Sequence, residues 1–393
     1  MSESVDVLIV GGAAMGASIA YFLASDPAFD GEILVVERDS TYADCSSARS
    51  WGVLRQQFST PENVQMSLFG IDFVSNVGDH LAVDGEVPDL SFRRNGVLFL
   101  ASEEGLPTLA RNVETQNAQG GDVELLDLDG LASRFPWINP EGLAGGATGG
   151  SHEGWIAPDA LMNAFRRKAQ ALGVEFRQDE VVAIARDGAR VTGATLKSGR
   201  DVGCGTLVNA AGPRAGAVAA LIDVPLPVVP RKRYSYIFDC RAELPEVMPL
   251  MVDVTGVATR PEGQHYIAIL SPPEDQDPDC PDLEMDYADF EETIWPILAT
   301  RIPAYEAIKL NGGWAGHYDY NTLDQNAILG PHPEISNLMF CNGFSGHGIQ
   351  QSPAAGRAVA EQIAHGGYRS LDLTVFGYER IAAGRPMKEA NVV

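Results

Sequence analysis

Positive charge is scarce in this chain: 28 Lys and Arg stand against 53 Asp and Glu in 393 residues, a formal net charge of −25. A nucleic-acid surface needs clustered cations to displace counterions, and the basic runs Arg166-Arg167-Lys168 and Arg231-Lys232-Arg233 are too short to form one. Nucleic acid is therefore excluded as a partner. Cysteine is also sparse: Cys45, Cys204, Cys240, Cys280 and Cys341 are odd in number, scattered, and never spaced Cys-x-x-Cys. Neither a disulfide framework nor a zinc site is indicated, and reduced thiols fit a cytoplasmic protein. No apolar run reaches the roughly 20 residues of a membrane helix, no secretory leader precedes the first strand-like run at Val5, and no repeat of fixed period is found. With 45% apolar and 21% charged residues, the composition is that of a globular protein long enough for two or three domains.

The N-terminus carries an organised pattern. Val5 to Val10 is a β-branched run, Ala14 to Ala24 has helical spacing, and Glu32 to Glu37 reads as a second buried strand, so the spacing predicts a βαβ unit and a parallel sheet. Between the first strand and the helix lies Gly11-Gly12-Ala13-Ala14-Met15-Gly16, a dinucleotide fingerprint with Ala13 in the middle glycine's place. Such a turn brings backbone N–H groups and a helix N-terminus to a pyrophosphate. Glu37 follows the last glycine by 21 residues, where a carboxylate can accept both ribose hydroxyls and disfavours a 2′-phosphate. Arg38, Ser46, Ser47, Arg49 and Ser50, then Gly52, Val53, Leu54 and Arg55, bring small residues, hydroxyls and guanidinium groups shortly after that acid. Downstream, helices are expected near Val64 to Val77, Asp159 to Leu172, Tyr287 to Thr300 and Ala354 to His365. The Pro/Asp-rich piece Ser271 to Pro281 reads as a solvated connector. Two further Gly-punctuated turns follow strands: Ala210-Ala211-Gly212, and Gly343-Phe344-Ser345-Gly346-His347-Gly348 leading into Ile349-Gln350.

With four separated segments in order, Arg55 to Asn63, Glu153-Gly154-Trp155, Tyr320 to Asn326 with Gly330-Pro331-His332-Pro333, and Gly343 to Gln351, the chain resembles a known superfamily. It is similar to the FAD-dependent D-amino-acid oxidases, glycine oxidases and sarcosine oxidases, and within them most closely to the mitochondrial FAD-dependent oxidoreductase domain proteins and their bacterial relatives. The resemblance implies a mixed α/β fold: a Rossmann-like FAD-binding domain with a parallel central sheet (1–85, 150–225 and 325–393) and a mostly antiparallel substrate domain (86–149 and 226–324). It implies FAD with its ribose on Glu37, its adenine beside Val181 and its isoalloxazine beneath Gly343 to Gln350, and no metal. The implied reaction oxidises the C–N bond of an amino acid or N-methyl amine by hydride transfer to flavin N5, with O2 or another electron acceptor reoxidising the flavin.

Residues carried over from the family show departures. Gly316 stands where sarcosine oxidases have the cysteine joined to flavin, so dissociable FAD is expected. Gln350 replaces a carboxylate-binding lysine, and Phe58 an arginine; Arg55, Arg233 or Arg260 remains for a substrate carboxylate. No lysine that speeds O2 reduction has a counterpart near Gln264 to Tyr266, which favours a dehydrogenase or slow oxidase. His347, Tyr318, Gln350 and Arg55 are the expected catalytic residues. A 2-hydroxy-acid dehydrogenase and a flavin-binding assembly factor without turnover are the alternative readings.

Overall fold

The computed structural model describes residues 3–390. Strand β1 (Glu3–Val10), helix α1 (Ala14–Ser25) and strand β2 (Ile33–Glu37) form the expected βαβ unit, with β1 paired in parallel to both β2 and Asp201–Asn209. The first sheet runs 328–331, 338–342, 201–209, β1, β2, 175–178, with 190–196 added antiparallel to 201–209 and 181–187 antiparallel to 190–196. Its central strands carry unbroken apolar runs because both faces are covered. Helices α1, Pro61–Ser75, Pro158–Ala171 and Gly348–His365 pack on one face, and the short helix Ala215–Ala220 with the strands 181–196 on the other.

The second sheet runs 308–321, 228–240, 265–269, 258–262, 250–252, 97–101, 145–148, 124–126 and is antiparallel except where 250–252 meets 97–101. One face buries Met251, Tyr236 and Phe238 against Phe290, Leu298 and Tyr305. The opposite face carries Phe99, Val252, Ala258 and Ile267 toward Trp51 and Trp155. Alternation along each strand thus sends neighbouring residues into two different cores.

Several element boundaries move from those expected. The helix placed at Val64 to Val77 starts at Pro61, and the one placed at Tyr287 to Thr300 starts as a π-helical turn at Phe290 before continuing to Arg301. The last long helix begins at Gly348 and runs through Pro353. Pro353 cannot donate to the Ile349 carbonyl one turn back, and the Ser352 hydroxyl donates to it instead, at 2.8 Å. No helix among the described residues is long and apolar enough to cross a membrane, and all five cysteines are unpaired thiols.

Candidate active site

The turn at the start of α1 is shaped by two close approaches. Gly11 has φ +100°, and a Cβ there would lie 2.4 Å from the Ala210 carbonyl oxygen; one on Gly16 would lie 1.8 Å from the Gly11 carbonyl oxygen. Ala13, in contrast, has φ −72°, a conformation open to any L-residue, which accounts for the missing middle glycine. Helix α1 has no acidic residue in its first turn and no side-chain cap at Ala13, so its partial positive charge is left for a ligand. Glu37 accepts hydrogen bonds from the Gly12 and Asp39 N–H groups, which fixes its carboxylate at the end of β2.

From this turn a cavity of about 390 Å³ extends toward the second sheet. It is lined by Gly11, Ala13, Met15, Glu37, Arg38, Ser46, Ser47, Arg49, Ser50, Val53 and Arg55, then by Ala210, Ala211 and Gly212, and at its far end by Tyr318, Phe344, Gly346, His347, Gly348, Ile349 and Gln350. A second cavity of about 300 Å³ shares Gly11, Glu37, Arg38 and Ala211 with the first and reaches Val181. Most residues expected at the site are thus brought together. The others support the wall from behind: Gly12 donates to Glu37, and the Ala14 N–H donates to the Ser47 hydroxyl. Gly16 packs on Gly11, Leu54 is in the core, and Gly52 and Gly343 turn the chain at positive φ. The Ser345 hydroxyl accepts from the Asn321 N–H. Ser46 lines this cavity, and its buried hydroxyl has no hydrogen-bond partner among the described residues.

Arg55 is fully enclosed. It donates to the Gln57 carbonyl and to His347 Nε2 (3.1 Å), lies over the Phe58 and Phe99 rings, and forms no ion pair with a carboxylate among the described residues. Because a guanidinium can only donate, His347 Nε2 carries the lone pair and the ring proton sits on Nδ1. Burial, followed by the Arg55 charge, pushes the His347 pKa down to about 3, so the imidazole is neutral across the physiological range. The Gln350 side-chain oxygen accepts the Arg55 backbone N–H at 2.9 Å. The Tyr318 ring leaves no room for a side chain on Gly346, whose Cβ would lie 2.5 Å from it, and burial raises the phenol's pKa.

Other candidates have different duties. Arg49 fastens the segment around Ser46 to the late strand 308–321, donating to the Ala43 and Ala315 carbonyls and pairing with Asp44. Arg233 lines the cavity but is held by Asp277 in an ion pair with both side chains about 5% exposed. Arg260 is spent on Glu262, the Trp51 carbonyl and the faces of Trp51 and Trp155. The segment read as a solvated connector borders the cavity through Ser271 and Pro281, and the basic run of strand 228–240 pairs with its acids and buries Asp277 against Arg233.

Two carboxyls with raised pKa values, one of them on the cavity wall, escape a reading of local sequence. Glu153 is fully buried, accepts from the Gln56 N–H and the Gln57 amide, and is raised to about 7 by burial. Asp319 lines the cavity, accepts from the Phe344 N–H at 3.1 Å, and is raised to about 6, again by burial. Glu153 lies in a motif of the resemblance, but its partners come from a segment about a hundred residues away; Asp319 carries no local signal.

Comparison with known proteins matches residues 6–362 to the family model described as DAO, FAD dependent oxidoreductase. The chain is similar to FAD-dependent oxidoreductase domain-containing protein 1 of Xenopus laevis, 43% identical over 425 residues covering 100% of this chain and 85% of that one. It is also similar to monomeric sarcosine oxidase of Arthrobacter, 22% identical over 97% of this chain and 98% of the other. Among solved structures, L-proline dehydrogenase from P. horikoshii superposes with a TM-score of 0.84 at 23% identity, covering 98% of this chain and 100% of that one.

Proposed function

Since the chain belongs to the family of FAD-dependent oxidoreductases, we propose that it oxidises the C–N bond of an amino acid or N-methyl amine bearing a carboxylate, to an imine that water hydrolyses. The observation that carries this reading is Arg55, a buried guanidinium on the cavity wall that forms no direct ion pair among the described residues, Glu153 and Glu389 acting on its charge only through space. A buried cation in that state needs an anion, and a substrate carboxylate supplies one.

The chain's residues fit FAD. The unpartnered Ser46 hydroxyl and the N-terminus of α1, which has no side-chain cap from Ala13 and no acid in its first turn, suit a pyrophosphate, Glu37 suits the ribose, and the cavity reaching Val181 suits the adenine. We infer non-covalent binding, because Gly316 offers no thiol at the far end of the cavity; the thiol of Cys45 lies at the dinucleotide end and is pushed up to about 11 by burial. When bound, FAD supplies the acceptor for the hydride that leaves the carbon beside nitrogen, and passes the electrons on to O2 or another acceptor.

The remaining chemistry belongs to the side chains. Arg55 binds the carboxylate, and neutral His347 holds the guanidinium in place through its Nε2 lone pair rather than acting as a base. Gln350 fixes the backbone beneath Arg55. The aromatic wall of Tyr318 and Phe344 excludes water and favours the neutral amine, the form that can release hydride. Sarcosine oxidase and proline dehydrogenase, whose names state C–N substrates, lend support.

The test is product analysis with FAD-loaded protein and a panel of N-methyl and α-amino acids. C–N oxidation gives one carbonyl product and one amine or ammonia per two electrons transferred. A carbonyl product formed from 2-hydroxy acids alone contradicts it, and substrate-independent flavin makes the chain a binding factor.

A further inference from the structure

Beyond Arg55 the cavity continues over the second sheet, and there its walls change character. Register places Phe99, Val252, Ala258 and Ile269 directly opposite one another on four neighbouring strands, so the four side chains form one row across a single sheet face. Leu250 stands two residues before Val252 on that same face. All five line the cavity, and Phe99, Leu250, Val252 and Ala258 are each only 4–6% exposed. Three strand spacings make the row about 14 Å long.

The polar groups bordering this annex are mostly engaged with one another, the buried Nε atoms of Arg233 and Arg260 being the exceptions. The Trp51 indole N–H donates to the Ser235 hydroxyl at 2.8 Å, and Arg233 is occupied by Asp277. Arg55 covers the Phe99 ring at one end, which joins its cation directly to the apolar row. A cation followed by a row of apolar side chains is complementary to an amphipathic anion, and along the row Phe99, Val252, Ala258 and Ile269 themselves supply no side-chain hydrogen-bonding group.

We propose that the substrate is a carboxylate with an extended aliphatic or aromatic substituent, its carboxylate on Arg55 and its apolar part along Phe99, Val252, Ala258 and Ile269. This rests on Arg55 being the anion anchor of the proposed function, and it names the specificity residues of that site. N-methylglycine, which has no such substituent, would leave the annex unfilled and is a poor substrate.

Unreactive straight-chain carboxylates separate this proposal from the reaction itself, because they bind without being oxidised. Their affinity for the FAD-loaded protein is read from the shift they cause in the visible flavin spectrum. From acetate to hexanoate, affinity rises about fourfold per methylene, and 6-hydroxyhexanoate binds at least tenfold more weakly than hexanoate. Ala258→Phe fills the annex and erases the gain from chain length while acetate binding changes less than twofold. Val252→Ala, which shortens the wall without filling it, weakens hexanoate more than acetate. Affinity that is flat with chain length, equal binding of the hydroxylated acid, or no spectral response to any carboxylate overturns the proposal. Chain-length dependence without amine oxidation leaves the annex standing and removes the C–N reaction instead.

Discussion

At the scale of single residues, the account turns on Arg55 and the neutral groups around it. Charge-assisted hydrogen bonds are worth about 1.5–3 kcal/mol, so Arg55→Lys, which keeps the charge but loses the fork, lowers kcat/KM for a carboxylate substrate roughly 10- to 150-fold. Steady-state kinetics with the best substrate of the panel check this. His347→Ala frees one side of Arg55 and slows anaerobic flavin reduction, and the wild-type profile shows no inflection from His347 between pH 5 and 8, because its pKa lies near 3. Glu153 gives a stability signature of the opposite sense. Its folded pKa, about 7, lies above the unfolded value of 4.5, so its contribution is complete below pH 4.5 and is lost as pH rises through 7. Glu153→Gln removes a slope on the order of 3 kcal/mol across that window, measured by urea denaturation of both proteins at a series of pH values. His347 was legible as unusual because a histidine in a glycine-rich turn has few packing duties. The burial of Glu153 was not, since it arises only when Gln56, Gln57 and residues 149–154 are folded together.

Among the elements, the segment after Leu270 is bound by the strand it crosses. Arg231, Lys232 and Arg233 pair with Asp279, Asp282 and Asp277 in turn, which is the structural use of a basic run too short for nucleic acid. The three pairs differ in value because they differ in exposure. Asp277→Asn leaves a buried guanidinium without its partner and costs about 3–5 kcal/mol, whereas Asp279→Asn, on a carboxylate 60% exposed, costs under about 1 kcal/mol. Thermal unfolding of the two variants side by side checks the contrast. The βαβ unit was legible because hydrophobic period, turn glycines and the acid at Glu37 all agree locally. The segment Ser271 to Pro281 reads as a connector in the sequence because its acids look solvated until the opposing strand is in place. The early start of the helix at Gly348 was hidden by Pro353, whose missing donor is replaced by Ser352 only in three dimensions.

Across the whole molecule, one sheet presents a dinucleotide turn and the other an apolar face, and the cavity runs from the first to the second. The parallel βαβ unit was legible from β-branched runs and turn residues, and the antiparallel second sheet was legible only through the family resemblance. The order of its strands was not, because pairings such as 250–252 with 97–101 join segments about 150 residues apart and leave no trace in local pattern. With Gly316 at the far end of the cavity, acid precipitation is expected to release all the FAD into the supernatant. Added FAD raises the Tm of the protein in proportion to the logarithm of its concentration above Kd, and yellow pellets contradict non-covalent binding. The central claim, oxidation at carbon beside nitrogen, is tested most directly by anaerobic mixing of the FAD-loaded protein with an N-methyl amino acid carrying an apolar side chain and, separately, with its 2-hydroxy analogue. The account predicts bleaching of the visible flavin band by the amine alone; bleaching by the hydroxy acid alone, or by neither, contradicts it.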